Sequence, residues 1–271
     1  MSRYQTVFSA LKSRNEGALI PFFVLGFPDR EQCLATIDAA IAAGADALEL
    51  GIPFSDPVAD GPVIVEAGNI ARAHGIEPPQ ALAMVAEIRR RHPNIPIGLL
   101  VYANLLIGPG IDTFLQHCQE AGVDSVLVAD IPLREADDLR QRATQYGIDV
   151  VFILAPNASL QAARAIANAS QGYVYLLSRA GVTGADRGAG LPLSHLIDVL
   201  HSERSVPPIL GFGISTAEHV RDAMKAGAAG AIVGSALVTT IKQAGGDAVD
   251  AVQRLITSLK AATRMGVRNG A

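Results

Sequence analysis

Two carboxylic acids in unlike surroundings are the residues best suited to chemistry in this sequence. Glu49 lies between Leu48 and Leu50 in an apolar run, and Asp60 follows in the loop that leaves this run. A carboxylic acid that loses its hydration holds its proton more tightly, so an inward-facing Glu49 would have a pKa raised toward neutrality. A general acid or base needs such a pKa. We expect Asp60, in a polar turn, to stay ionised beside it.

Both acids also have plainer interpretations. Asp-Pro and Asp-Gly pairs are common in turns, so Asp56 and Asp60 could serve only to shape the loop. Glu49 could lie on the hydrated face of a half-exposed strand, but its apolar neighbours and the adjacent Gly51 favour burial. We therefore predict that Glu49 is the principal catalytic residue, with Asp60 as its charged companion.

Composition and charge limit the class of protein. The chain has 271 residues, 49% of them hydrophobic, and a formal net charge of −4. Because it lacks a block of basic residues, we expect neither nucleic acid nor an anionic membrane surface as its main partner. No apolar run approaches the roughly 18 residues of a membrane span, and residues 1–17 are polar, so we expect a cytoplasmic protein without a signal peptide.

The cysteines give no sign of a disulfide framework or a metal centre. Cys33 and Cys118 are far apart in the sequence and belong to no CxxC pair or histidine cluster. Isolated cysteines on apolar helical segments are typical of reduced, packed thiols. We predict no metal site.

Short apolar runs rich in valine, isoleucine and leucine alternate with longer segments of helical periodicity. This alternation predicts repeated βα units around a parallel sheet. Gly44, Gly122 and Gly227 each precede an apolar run, and each is predicted to end a helix in the left-handed conformation. The predicted strands are 19–25, 47–50, 97–102, 125–128, 150–154, 173–176, 209–211 and 231–233.

Eight βα units in a chain of this length predict one α/β domain, a (β/α)₈ TIM barrel spanning residues 1–271. An apolar stripe over residues 3–14 predicts an extra N-terminal helix that closes one end of the barrel. A doubly wound sheet is the alternative, but it would place a helix-opening GxGxxG turn after the first strand, where Leu25-Gly26-Phe27-Pro28 stands instead. In a barrel, catalytic residues lie at the carboxyl ends of the strands, as both acids do here.

Glycine-rich turns follow the last two predicted strands, where barrels commonly bind phosphate. Gly213 follows the seventh strand, and Gly234 with Ser235 follows the eighth. Glycines let backbone N–H groups approach an anion, and a helix that begins at Ser235 would add its dipole. A Gly-Ser pair can also be a simple tight turn, but its position favours a phosphate site.

A long loop, residues 178–190, carries four glycines and several polar residues after the sixth predicted strand. Loops of this length in compact domains are often lids, although simple disorder is the alternative. On closure, Thr183 could donate a hydrogen bond to Asp60 and orient it. Thr183 and Gly184 are the residues of this loop that we expect to function.

Several motifs together resemble the tryptophan synthase alpha subunit family. They are residues 48–61, 96–104, 126–130, 179–184 and 211–214, and the resemblance covers essentially the whole chain in order and spacing. The acidic motif 48–61 is the most specific of them. The resemblance implies cleavage of indole-3-glycerol phosphate to indole and glyceraldehyde 3-phosphate, a retro-aldol reaction that needs no cofactor in this chain.

The resemblance also assigns roles to individual residues. Glu49 would protonate C3 of the indole and take the proton of the C3′ hydroxyl, while Asp60 would hold the indole N–H. Tyr175 would lie beside the glycerol portion and Thr183 beside the substrate. The implied apolar indole pocket is Phe22, Leu100, Leu127, Phe212 and Ile232, and the implied phosphate ligands are Gly184, Gly213, Gly234 and Ser235.

A partner subunit is implied as well. Asp56 and the loop from Asn104 to Pro109 match the surface that the family uses to contact its beta subunit. The beta subunit carries pyridoxal phosphate and consumes indole delivered through a tunnel. The resemblance thus implies an alpha2beta2 heterotetramer with substrate channelling.

Two residues depart from the family pattern, and two other functions are alternatives to the one that the resemblance implies. Phe27 stands where the family typically has aspartate, and Ala180 where a small polar residue is common, but neither touches the proposed acids. An isomerase acting on related sugar phosphates would need a lysine and a histidine near strand ends, and this chain has neither at a plausible position. A scaffold without activity would not need Glu49, Asp60 and Thr183 intact.

Overall fold

A parallel β-barrel surrounded by helices is the framework of the protein. The structure is a computed structural model, and it describes residues 1–177 and 193–264. The described strands form one nine-stranded sheet in the order β5-β4-β3-β2-β1-β9-β8-β7-β6. Their bounds are β1 Ala18–Val24, β2 Leu48–Gly51, β3 Ile97–Val101, β4 Ser125–Val128, β5 Asp149–Val150, β6 Phe152–Leu154, β7 Val174–Leu177, β8 Pro208–Gly211 and β9 Gly230–Val233.

The nine strands correspond to the eight predicted ones, because the predicted strand 150–154 is divided in two. β5 pairs with β4, whereas β6 pairs with β7, and Val151 lies between them. The N–H of Val151 still donates to the carbonyl of Val126, at 2.9 Å, so the segment stays beside β4 while it passes to its other neighbour. The break therefore lies where the barrel closes, and the predicted (β/α)₈ fold is confirmed.

The described helices lie outside the sheet. Helix α1 begins with a capping box at Ser2, buries Tyr4 and Leu11, and confirms the predicted N-terminal helix. Helix α2 is capped by Asp29, whose carboxylate accepts the N–H of Gln32. The bounds are α1 Arg3–Ser13, α2 Arg30–Ala42, α3 Pro62–Ala73, α4 Pro78–Arg91, α5 Ala103–Ile107, α6 Ile111–Ala121, α7 Asp137–Gln145, α8 Leu160–Ala169, α9 Leu193–Ser202, α10 Ala217–Lys225, α11 Ser235–Ala244 and α12 Ala248–Ala261.

Glycines end three of the helices as predicted. Gly44, Gly122 and Gly227 have φ angles of 104°, 79° and 96°, a region in which an L side chain is strained. Phe27, at the departure from the family pattern, is a buried core residue, and the cap of α2 beside it is intact.

The N-terminal helix closes the amino end of the barrel, as expected. Tyr4 enters the barrel from α1, and its hydroxyl lies 2.9 Å from the Oγ of Ser125 in β4. Its ring centre is 5.6 Å from that of Tyr173, which precedes β7. Gly98 in β3 leaves room for this arrangement, since a Cβ there would lie 3.0 Å from the Tyr4 hydroxyl. These buried aromatic residues form the floor of the barrel.

Two further predictions concern metal and membrane. Within residues 1–177 and 193–264, no group of three or more histidine, cysteine, aspartate or glutamate side chains is arranged to hold a metal ion. No helix of the described ranges is long and apolar enough to span a bilayer. Cys33 and Cys118 are buried free thiols, which confirms the prediction of reduced, packed cysteines.

Candidate active site

Glu49 is a buried carboxylic acid in the centre of the barrel. It lies in β2, in register with Phe22 of β1 and Gly98 of β3, and its residue surface is 2% exposed. The hydroxyl of Tyr173 donates to its Oε1 at 2.8 Å. Burial raises the pKa of Glu49 from 4.5 to about 7; the bond from Tyr173 acts against this rise, and the charge of Asp60 adds to it. Glu49 can therefore both give and accept a proton near neutral pH.

Asp60 lies in the loop between β2 and α3 and is less deeply buried. Burial raises its pKa from 3.8 to about 6, and a hydrogen bond from the side chain of Tyr102 acts against this rise. The same Tyr102 hydroxyl accepts the N–H of Ala59 at 3.2 Å. Because the loop folds against the barrel mouth, Asp60 loses part of its hydration. Its pKa is therefore closer to neutrality than the pKa of a carboxylate in a hydrated turn. Asp60 nevertheless remains mostly ionised at pH 7.

Both acids line one cavity of about 820 Å³ at the carboxyl ends of the strands. Most of the residues singled out in the sequence line the same cavity: Phe22, Leu100, Tyr175, Phe212, Gly213, Ile232, Gly234 and Ser235. Leu127 is buried in β4, in register with Leu100. In the part of the chain that the structure describes, it does not line the cavity. Thr183 and Gly184 lie outside the described residues.

One end of the cavity suits an anion. Gly213 follows β8 with a φ of 80°, so a side chain there would be strained. Gly234 is the N-cap of α11, which begins at Ser235, and both residues face the cavity. The N-terminus of this ten-residue helix presents unpaired N–H groups and the positive end of its dipole. Backbone groups from two successive βα turns thus line the same cavity.

Several residues of the site have no role predicted from the sequence. Tyr173 holds Glu49, Tyr102 bonds to Asp60, and Ala129 and Ile153 line the cavity wall. Ser215 also lines the cavity, with its Oγ 3.2 Å from Nδ1 of His219. Tyr102 and Ala129 lie within the quoted motifs and could have been found there. Tyr173 is 124 residues from Glu49, and no local pattern connects them.

The proposed partner surface lies at the same end of the barrel. Asp56 is exposed in the loop after β2, while Asn104 and Pro109 are exposed in and after α5, which follows β3. Two large apolar side chains accompany them, Val58 at 75% exposure and Ile107 at 61%.

Comparison with known proteins identifies the family. A sequence model described as "Tryptophan synthase alpha chain" matches residues 8–266. Tryptophan synthase alpha chains of Citrobacter koseri and Escherichia coli are 53% and 52% identical to this chain, each over 97% of this chain and 100% of the relative.

Solved structures agree with the sequence matches. The crystal structure of tryptophan synthase subunit alpha from Legionella pneumophila superimposes with a TM-score of 0.86 at 32% identity, over 97% of this chain and 98% of that one. A structure of Mycobacterium tuberculosis tryptophan synthase gives a TM-score of 0.87 at 29% identity, over 98% and 99% of the two chains. The chain therefore belongs to the tryptophan synthase alpha chain family, the lyases of indole-3-glycerol phosphate.

Proposed function

We propose that Glu49 and Asp60 carry out the reaction of this family, the retro-aldol cleavage of indole-3-glycerol phosphate to indole and glyceraldehyde 3-phosphate. The chain is a carbon–carbon lyase by family. The observation that supports these residue roles is a pair of acids on one cavity, a fully buried Glu49 with a pKa near 7 and a mostly ionised Asp60.

Glu49 makes both proton transfers. Cleavage begins when C3 of the indole gains a proton, and it ends when the C3′ hydroxyl loses one and becomes the aldehyde of glyceraldehyde 3-phosphate. The electrons of the C3–C3′ bond return to the ring and restore the indole. Because Glu49 is about half protonated at pH 7, it can give the first proton and then accept the second. Tyr173 anchors it through Oε1 while it does so.

Asp60 stabilises the charge that develops between these steps. Protonation at C3 places positive charge on the ring nitrogen, whose N–H faces the Asp60 carboxylate in this proposal. An ionised carboxylate stabilises that cation more than the neutral substrate, and more strongly in a partly buried site than in water. A pKa near 6 keeps Asp60 charged for this purpose at pH 7 and above.

The two ends of the cavity then hold the two ends of the substrate. The apolar wall, with Phe22, Leu100, Phe212 and Ile232, would surround the indole ring, and Tyr175 would lie beside the glycerol portion. The turns at Gly213, Gly234 and Ser235 would bind the phosphate through backbone N–H groups. Leu127, Thr183 and Gly184 stay predictions for the indole pocket, the lid and the phosphate site.

The family pairs this chain with a beta subunit, and we assign further details to that complex. It would be an alpha2beta2 heterotetramer, with Asp56, Asn104 and Pro109 of this chain at the contact. Pyridoxal phosphate would belong to the beta subunit, and this chain would work without a cofactor or metal. We further propose a cytoplasmic protein whose residues 1–271 form one domain.

One substitution tests the assignment. Glu49→Gln keeps the shape of the side chain and can still accept the bond from Tyr173, but it cannot transfer a proton. We expect purified Glu49→Gln protein to bind indole-3-glycerol phosphate and to form indole at about 10⁻³ of the wild-type rate or less. Indole formation at a rate close to that of the wild type would remove Glu49 from the mechanism. If the wild-type chain with its beta subunit forms no indole, the proposed reaction itself is wrong.

A further inference from the structure

The loop that carries Asp60 is tied to the barrel by the side chain of Tyr102. Among the described residues, most hydrogen bonds of residues 53–60 join members of the loop to one another. The two exceptions both end at Tyr102. Its hydroxyl accepts the N–H of Ala59 at 3.2 Å and donates to the Asp60 carboxylate. The position of Asp60 relative to the barrel therefore depends on this one phenol.

Tyr102 itself has little freedom to move. It follows β3 and is 3% exposed, and its ring stacks on that of Phe54 with the ring centres 5.4 Å apart. The next residue, Ala103, donates its N–H at 2.8 Å to Oδ1 of Asp130, which follows β4. The ring is thus packed against the loop on one side, and its backbone is fixed by the neighbouring strand on the other. The hydroxyl on this ring has a defined position.

The hydrogen bond from Ala59 also directs the proton of the Tyr102 hydroxyl. A phenol has one proton to donate, and the N–H of Ala59 occupies a lone pair of the oxygen. The proton is left for the Asp60 carboxylate. Burial raises the pKa of the Tyr102 phenol, and the charge of Asp60 adds to this rise, so the phenol remains a donor at neutral pH. Such a donor favours a carboxylate over a protonated acid.

The other titratable groups around this pair do not favour a charged Asp60. They are Glu49 of β2 and Tyr175 of β7, which the charge of Asp60 affects, and Asp130 after β4, which affects Tyr102. Two of these groups are acids and the third is a buried phenol. Among the described residues, the hydrogen bond of Tyr102 is the interaction that favours ionised Asp60. Tyr102 therefore acts on both the position and the charge of this acid.

We propose that Tyr102 is a positioning residue for Asp60: its fixed hydroxyl ties the loop to the barrel and donates one hydrogen bond to the carboxylate that would meet the indole N–H. This inference rests on the proposed function. In this role Tyr102 acts through Asp60 and transfers no proton in the reaction. The arrangement matches that of Tyr173 and Glu49, so each acid has its own tyrosine hydroxyl.

Removal of the Tyr102 hydroxyl should move one side of the pH profile. In the proposed reaction Asp60 must be ionised and Glu49 protonated, so the lower apparent pKa of kcat/KM belongs to Asp60 and the upper one to Glu49. For Tyr102→Phe we expect the lower pKa to rise by about one unit and the upper pKa to stay. The loss of kcat/KM should then be about fivefold greater at pH 6 than at pH 8. Tyr173→Phe is the matched control, because it removes the hydroxyl from the other acid and should move only the upper pKa.

An unchanged lower pKa in folded Tyr102→Phe protein, whatever its overall rate, would overturn the proposal and make Tyr102 merely structural. A shift confined to the upper pKa would overturn it as well. Incorporation of 3,5-difluorotyrosine in place of Tyr102 covers the case in which Tyr102→Phe does not fold. This residue keeps the ring and donates a stronger hydrogen bond, so the lower pKa should fall. A lower pKa that does not fall would again refute the role of the hydroxyl.

A titration of the carboxyl group itself separates this inference from the lyase reaction. ¹³C NMR of protein with labelled aspartate reports the ionisation of Asp60, whose signal is assigned by its absence from Asp60→Asn. We expect Asp60 to titrate about one unit higher in Tyr102→Phe than in the wild type. If this shift is seen but the wild-type chain with its beta subunit forms no indole, the lyase reaction is wrong and the hydrogen bond to Asp60 is upheld. If indole forms and the shift is absent, the role of Tyr102 alone fails.

Discussion

The buried Glu49 should destabilise the fold in a manner that depends on pH. Its pKa rises from 4.5 to about 7 on folding, mainly because burial disfavours the charged form. Each unit of pKa corresponds to about 1.4 kcal/mol, so ionised Glu49 costs the folded state about 3 kcal/mol. This is a large share of the 5–15 kcal/mol, roughly, that stabilises a typical domain.

The pH range of this cost follows from the two pKa values. Below pH 4.5 Glu49 is protonated in both the folded and the unfolded chain, so no cost arises. Between pH 4.5 and about 7 the folded state holds more protons than the unfolded one, and stability falls as the pH rises. Above about pH 7 the cost is complete and constant. Glu49→Gln removes the titration and keeps the side-chain volume.

Urea unfolding of the two proteins at a series of pH values measures this difference. We expect Glu49→Gln to exceed the wild type by about 3 kcal/mol near pH 8 and to match it near pH 4.5, with a slope of about 1.4 kcal/mol per unit between. Glu66→Gln is the matched control, because Glu66 is exposed and pairs with Lys242 at the surface. A constant difference between Glu49→Gln and the wild type at all pH values would refute a buried, titrating Glu49.

Three further substitutions have expected outcomes. Tyr173→Phe removes the donor that favours ionised Glu49, so the upper apparent pKa in the pH profile of kcat/KM should rise by about one unit; an unshifted profile would make Tyr173 merely structural. Asp60→Asn should lower kcat about 10²-fold or more with a small change in KM, and a change confined to KM would contradict charge stabilisation. Gly51→Ala places a Cβ 2.8 Å from the Phe22 ring, so KM for indole-3-glycerol phosphate should rise several-fold, and an unchanged KM would show that the ring moves freely.

The sequence predicted the barrel because each strand and helix junction has a local signal. Apolar runs bounded by glycine mark the strands, and Gly44, Gly122 and Gly227 all adopt the left-handed conformation predicted for them. The division of the predicted strand 150–154 has no such signal. It depends on pairing with β4 at one end and β7 at the other, which is a property of the closed barrel.

The two acids of the candidate site could be predicted because both lie in a single motif at the end of one strand. Glu49 and Asp60 lie 11 positions apart in the sequence around a single strand end. The apolar neighbours of Glu49 predict a buried environment for it, and the turn residues around Asp60 predict a more polar one. The role of Tyr173 was not predicted, because this residue reaches Glu49 across the barrel from the position just before β7. The pKa of Asp60, raised by the folding of its loop against the barrel mouth, likewise depends on tertiary structure.

The difference in burial between the two acids explains how one cavity can provide two kinds of carboxylate. Among the described residues, only the neutral hydroxyl of Tyr173 offsets the loss of hydration at Glu49, so its pKa reaches about 7. Asp60 keeps part of its hydration and gains the hydroxyl of Tyr102, so its pKa stops near 6. Between about pH 6 and 7 the state with Glu49 protonated and Asp60 ionised is therefore well populated. This is the state that the first proton transfer requires, and the charge of Asp60 itself favours it by opposing ionisation of Glu49.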